Sequence, residues 1–176
     1  IDCGECLRNC PRRAISTATT GVKNINRSRT ILVVSPVLYS QFGEGVSPDI
    51  INKALRDMGF LDVYDEFDAL EIFHTTVELY LRENRDTPHF PKPVISPVCP
   101  VVVRIVAYRF PSLLKHFPPI YRPREIAAMI IRNEAEDKYG LKAGEIKILH
   151  VTPCSAKMMA IEDPVLVNYS PLDGAI

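Results

Sequence analysis

An α/β fold, a mostly parallel sheet with flanking helices, is what this sequence predicts, and three observations carry that expectation. Ile31-Leu32-Val33-Val34 is an uninterrupted apolar run, the mark of a strand buried on both faces. Further short apolar runs alternate with longer stretches at helical spacing, the order expected of a parallel sheet covered on both sides. The helical stretches open on Ser-Pro or Pro and close on Gly, the residues that start and stop helices.

The elements follow in order. Residues 1–16 read as the tail of a smaller ferredoxin-like α+β unit, and the polar, aperiodic residues 17–29 as a linker or exposed edge strand. Residues 30–176 hold the α/β lobe. After the first strand, Ser47 and Pro48 are N-cap and N1 of a helix whose inner face is expected at Ile50, Ile51, Ala54, Leu55 and Met58, ended by Gly59. Asp62-Val63-Tyr64-Asp65 is a short second strand. Asp68 to about Arg82 is a helix with Ala69, Ile72, Phe73, Thr76, Val77 and Tyr80 inward. His89-Phe90-Pro91-Lys92-Pro93 is a loop leading to an expected strand at Val94-Ile95. A short helix follows Cys99-Pro100 and carries Val101 to Tyr108. Pro123 starts another, with Ile126, Ala127, Ile130 and Ile131 inward and Gly140 at its end. Ile146 to Val151 is the last clear strand.

Composition narrows the function classes. The 176 residues are 47% hydrophobic and 24% charged, and Lys+Arg and Asp+Glu are both 21, so the net charge is +0. That balance favours neither nucleic acid nor an acidic membrane surface as a partner. No apolar run approaches the ~20 residues that span a bilayer. Five cysteines are too few and too odd in number for a secreted disulfide scaffold. An intracellular, reducing, anaerobic setting is expected, with the chain in the cytoplasm.

The cysteines lie in short proline-flanked motifs. Cys3, Cys6 and Cys10 form C-x2-C-x3-C-P, the bacterial ferredoxin run C-x2-C-x2-C-x3-C-P begun one cysteine late. The reading therefore expects a longer natural protein, with the missing cysteine immediately before Ile1. In two-cluster ferredoxins the cysteine before proline reaches the other cluster, which assigns Cys3 and Cys6 to one [4Fe–4S] cluster and Cys10 to a second. A zinc knuckle could use the same C-x2-C pair, but no histidine follows at finger spacing.

In open α/β sheets ligands collect at the carboxyl ends of the strands. Here those ends lead into Ser35-Pro36-Val37, Ser96-Pro97-Val98-Cys99 and Thr152-Pro153-Cys154, so three loops are expected at one mouth and two bring a cysteine. A lone cysteine at a strand end is otherwise a small buried hydrophobe. His150, mid-strand, reads as a satisfied core histidine. Glu66, Asp68 and Glu71 read as a solvated helix start, Arg122, Arg124 and Arg132 as a water-exposed helix side, and Met158-Met159 as core filling.

With their flanks, these residues resemble the C-terminal large-subunit domain of iron-only ([FeFe]) hydrogenases, over about Arg29 to Pro164. Ser96-Pro97-Val98-Cys99-Pro100 is similar to that family's T-S-C-C-P motif, and Thr152-Pro153-Cys154-Ser155-Ala156-Lys157 to its M-P-C-x-x-K motif. Phe42-Gly43-Glu44, the stretch Ala54 to Phe60, Val63-Tyr64-Asp65 and Tyr108-Arg109-Phe110-Pro111 agree as well. The resemblance implies that Cys99 and Cys154 are ligands of a [4Fe–4S] cluster. It implies a diiron unit carrying CO and cyanide, with Lys157 contacting a cyanide. A third motif, E-x-M-A-C-x-x-G-C, would supply two more cysteines and is not found before Ile176.

The pattern also departs from the family. The proton-donating first cysteine of T-S-C-C-P is Val98, and the glutamate three residues beyond the lysine is Ala160, with Glu162 offset. Ser35-Pro36-Val37 stands where the hydrogenases have A-P-[AS]. Cluster ligands are kept while the proton route is lost, and proton transfer needs acid–base groups within hydrogen-bond reach. The expected function is therefore a hydrogenase-like iron–sulfur protein for electron transfer or redox/hydrogen sensing. Its partner would be an electron donor or acceptor such as ferredoxin, with a fused or separate signalling domain. The alternatives are an active [FeFe] hydrogenase with an altered proton path, and a cluster-free interaction domain.

Overall fold

Thr30–Val34 form β1, and every one of these residues is buried, as an apolar run without polar alternation requires. The computed structural model describes residues 2–17 and 19–176. Ile1, in the expected 1–16 module, and Ala18, in the expected linker, lie outside the described residues. Three further strands complete the sheet: β2 (Asp62–Asp65), β3 (Lys147–Val151) and β4 (Gly174–Ala175), in the order β2-β1-β3-β4 with every pair parallel. Val33 stands beside Tyr64 on one side and His150 on the other, so β2, β1 and β3 end level.

Among the described residues six α-helices accompany the sheet: α1 (Glu5–Arg8), α2 (Pro48–Asp57), α3 (Glu66–Asn84), α4 (Pro100–Arg109), α5 (Pro123–Tyr139) and α6 (Ser155–Glu162). Alternate residues of a strand face opposite sides. Ile31, Val33 and Ile148 pack with Ala69 of α3, Ala127, Ala128 and Ile131 of α5, and Met158 and Ile161 of α6. Leu32, Val34 and Leu149 form the other core with Phe60 and Val63, against which Leu55 of α2 and Tyr39, from the turn after β1, lean. A separate cluster of Val103, Val106 and Phe117, joined by Ile95, Val165 and Leu166, seats α4 beside the main body.

The helix boundaries follow local chemistry. Ser47 Oγ accepts from the Ile50 N–H ahead of Pro48, and Gly59 takes φ +93°, where a side chain would be strained. Asp65 Oδ1 caps α3 by accepting from the Phe67 N–H. Asp62 ties β2 to two helices: it accepts from the Tyr139 hydroxyl at 2.6 Å, Lys138 Nζ at 3.0 Å and Arg56 Nε at 3.0 Å. Burial alone would raise its pKa, but these donors and the Val63 amide outweigh burial and hold it well below the usual carboxylate range. No described helix is long and apolar enough to cross a membrane.

Three expectations are corrected. Val94-Ile95 is not a strand: prolines at 93 and 97 bracket it, and its one backbone bond runs from the Ile95 N–H to the His116 carbonyl, away from the sheet. The mouth is therefore framed by two strand ends and a loop. Helix α2 buries Ile51 and Asn52, while Ile50, Ala54 and Met58 are exposed, because it touches β2 along a stripe narrower than its apolar residues. On α3, Ile72 and Thr76 are exposed, and only Ala69 and Phe73 among the expected apolar positions are fully inside.

Candidate functional site at the carboxyl end of the sheet

Cys99 and Cys154 occupy equivalent places, each the residue from which a helix starts. Cys99 is the N-cap of α4 and is exposed; Cys154 is the N-cap of α6 and is half-buried. The helices pack on one another. The loops share a further device, since Ser96 Oγ accepts from the Val98 N–H at 3.4 Å and Thr152 Oγ1 from the Cys154 N–H at 3.3 Å. Such hydroxyl-closed turns hold a chain tightly just before a helix. Two helix N-termini also direct orphan N–H groups toward any negative charge near the thiols. Lys157 lies in the first turn of α6, half-buried, its N–H bonded to the Cys154 carbonyl at 3.0 Å.

The N-terminal cysteine loop docks on the same helix start. Ser155 Oγ donates to the Asp2 carbonyl at 3.1 Å, and Asp2 Oδ2 lies 3.0 Å from Arg104 Nε. Gly4, at φ +86°, comes so close that a Cβ there would stand 2.6 Å from Ser155 Oγ. Cys3 thus sits between two residues that touch α6, next along the chain from Cys154. Arg104, buried in α4, also reaches the far end of α6, donating from Nη2 to the Asp163 carbonyl at 2.7 Å and its Oδ2 at 2.9 Å. Cys3 and Cys6 are exposed and Cys10 is half-buried. The Ala14 N–H donates to Cys10 Sγ at 3.4 Å and, with other nearby amides, holds that thiol below its usual pKa despite partial burial, favouring the thiolate that binds metal.

Below the mouth lies a group of buried charges, and here the sequence reading of solvated side chains is corrected. Arg122, Arg124 and Glu125, at the start of α5, are 2%, 1% and 0% exposed. Glu66, at the start of α3, is buried as well, beside His150 in the centre of β3. Arg122 Nη2 pairs with Glu125 Oε1, and the Arg122 backbone N–H donates to Glu125 Oε2 at 3.1 Å. Glu125 therefore both neutralises and caps. Arg124 Nη2 approaches the same Oε1 only to 3.8 Å, and its Nε and Nη2 have no hydrogen-bond acceptor. Burial pulls its pKa down to about 10, so it remains charged at neutral pH.

His150 is buried with both ring nitrogens lacking a hydrogen-bond partner, its Nε2 3.5 Å from Glu66 Oε2. Burial holds the imidazole neutral, Glu66 opposing. Glu66 stays ionised: burial pushes its carboxyl up, but His150, Lys157 and Arg124 together outweigh that. Arg132 is half-buried, bonded to the Pro171 and Ala143 carbonyls and to Asp173. Met158 is buried in the main core, as core filling requires. The signal that could have found the buried pair is Arg122-Pro123-Arg124-Glu125 itself, because an acid at the third helical position is the capping-box position.

Among the described residues no three His, Cys, Asp or Glu side chains come together as a metal site. Two thiols at the starts of helices that pack on one another can supply part of a four-thiolate cluster shell, and an unpartnered guanidinium fits a group of negative charge. Beside them Pro97, Tyr121, Arg122, Glu125, Leu166 and Tyr169 line a cleft of about 320 Å³.

Comparison with known proteins gives this geometry its context. The chain is 27% identical over 190 aligned positions to the NADP-reducing hydrogenase subunit HndD of Solidesulfovibrio fructosivorans, covering 97% of this chain and 32% of that protein. A variant of the [FeFe]-hydrogenase HydA1 from Chlamydomonas reinhardtii superposes with a TM-score of 0.69 at 20% identity, over 90% of this chain and 42% of that one. An apo form of a HydA1 variant gives 0.68 at 20% identity, over 90% and 43%. The chain thus spans about a third of the curated relative and under half of the solved ones, and the solved structures share its parallel sheet with flanking helices. The family model described as "Iron only hydrogenase large subunit, C-terminal domain" matches residues 28–173, most of the sequence, and the chain belongs to that family.

Proposed function

We propose that this chain is the cluster-holding part of a hydrogenase-like iron–sulfur protein serving electron transfer or redox/hydrogen sensing. Cys99 and Cys154 hold one side of a [4Fe–4S] cluster, and Cys3, Cys6 and Cys10 belong to a ferredoxin-type module over residues 1–16 that exchanges electrons with it. When bound, such clusters supply one-electron transfer at potentials set by charge, hydrogen bonds and burial. The observation that carries this reading is the seating of the Cys3 loop, through Asp2 and Gly4, on the α6 start that follows Cys154. A redox partner such as ferredoxin fits, and the curated relative is by name an NADP-reducing hydrogenase subunit. Val98 and Ala160 leave both familiar proton-carrying positions without an ionisable group.

The test is Cys99→Ala in the natural protein purified without oxygen. Loss of one cluster's electron paramagnetic resonance (EPR) signal, with about four irons fewer per chain and the ferredoxin-type signals intact, is the expected result. Unchanged spectra and iron content would refute the Cys99 assignment.

A second reading, an active [FeFe] hydrogenase with an altered proton path, is favoured by the half-buried Lys157 in the first turn after Cys154. In that reading Lys157 contacts a diiron ligand. An infrared spectrum of the anaerobically matured protein decides: no bands in the CO and cyanide stretching region are expected, and sharp bands would establish the second reading instead.

A further inference from the structure

Arg124 is an anomaly in a folded interior. Its guanidinium is 1% exposed, its Nε and Nη2 donate to nothing, and the carboxylate oxygen nearest in the ion-pair network is 3.8 Å away and engaged by Arg122. A buried charge of this kind is strongly unfavourable unless an anion compensates it. Among the described residues nothing accepts from its Nε or Nη2. Arg122 adds a second positive charge beside it, and the carboxylates facing the two are Glu125, already paired with Arg122, and Glu66. Glu66 is in turn shared with His150 at 3.5 Å.

Position gives the unpartnered guanidinium a direction. Arg124 stands in the first turn of α5, which packs on α3 and on β1. Strand β1 ends level with β3, the strand that runs into Cys154. Arg124's neighbours Arg122 and Glu125 line one cleft with Pro97 of the Cys99 loop, and the Cys154 thiol is among the groups that act on its charge. A [4Fe–4S] cluster held by thiolates is an anion, and reduction adds one more negative charge. A fixed positive charge beside it stabilises the reduced form more than the oxidised one, and a low-dielectric setting enlarges the difference. Arg124 needs no change of its own protonation to do this.

Resting on the assignment of Cys154 as a cluster ligand, we infer that Arg124 is the counter-charge of the cluster held at Cys154 and sets its reduction potential. The redox step is the gain of one electron by the cluster from an added reductant. No bond forms or breaks at Arg124, and its protons stay in place. The residue acts by charge, so lysine should replace it in part and glutamine should not.

The test is an EPR-monitored dithionite titration of the natural protein, its Arg124→Gln and Arg124→Lys variants, and a Cys154→Ala control. The signal absent from the control is the one followed. Arg124→Gln is expected to shift its reduction equilibrium at least tenfold toward the oxidised cluster, about 59 mV for one electron, and Arg124→Lys less than threefold. Equal potentials in parent and Arg124→Gln, with the signal intact, would overturn the inference while leaving the Cys154 assignment standing. If Arg124→Gln takes up no cluster at this site, Arg124→Lys decides: a cluster retained supports the role of charge, and a cluster lost as well overturns it in favour of packing. A control spectrum identical to the parent's would remove the Cys154 assignment, and the inference with it.

Discussion

Glu125→Ala is expected to destabilise the folded chain by about 3–5 kcal/mol, the cost of removing one partner from a buried charge pair. Glu125 is fully buried and performs two tasks at once. Its Oε1 pairs with Arg122, and its Oε2 accepts the Arg122 backbone N–H at the start of α5. Alanine would leave two guanidinium groups in the interior with no carboxylate in the first turn of their helix. Against a typical domain stability of about 5–15 kcal/mol, that is enough to unfold much of the population at moderate temperature. Glu125→Gln separates the tasks, since the amide oxygen can still cap while the charge is gone. The double variant Arg122→Met/Glu125→Leu should recover part of the loss, because buried pairs replaced together by apolar groups are often close to neutral. Urea unfolding followed by circular dichroism measures all three. A cost below about 1 kcal/mol for Glu125→Ala would show that the carboxyl does not carry the compensating charge.

That buried pair also marks where reading the sequence reached its limit. Strands β1, β2 and β3 were legible because runs such as Ile31-Leu32-Val33-Val34 leave no polar face to solvate, and Ser47-Pro48 and Gly59 fix the ends of α2 by local chemistry alone. The position of the Cys154 loop was legible too, since a parallel strand delivers its following loop to the carboxyl edge of the sheet, whereas the Cys99 loop follows no strand and leads only into α4. Strand β4 was not, because Gly174-Ala175 is too short to show a period and pairs only by being brought beside β3. Val94-Ile95 misled because an apolar pair between prolines has a strand's composition without a strand's donors. Arg122, Arg124 and Glu66 misled because charge normally means surface. Only the fold, laying the first turns of α3 and α5 over the strand ends, puts them inside. His150 is the mixed case: its burial was legible from its strand, but its lack of hydrogen-bond partners was not.

Ile148→Ala is the second large effect expected, a loss of about 2–5 kcal/mol through a cavity the surroundings cannot close. Ile148, the second residue of β3, is fully buried beside Ile31 of β1. Its side chain belongs to the core formed with α3, α5 and α6. Parallel pairing with Ile31 holds this position on one side and the Asp173 N–H, donating to the Ile148 carbonyl at 2.9 Å, on the other, so the backbone has little freedom to collapse into a void. Ile148→Val removes one methylene and should cost only about 0.5–1.5 kcal/mol. The pair of variants bears on function as well as stability, because β3 runs directly into Thr152-Pro153-Cys154 and the start of α6. If the strand core is what fixes that cysteine, cluster loading at fixed iron and sulfide should fall with the measured stability, nearly intact in Ile148→Val and impaired in Ile148→Ala. Loading that stays at the parent level in Ile148→Ala, despite the full loss of stability, would show that Cys154 is held by its own hydroxyl-closed turn and helix start instead of by the sheet.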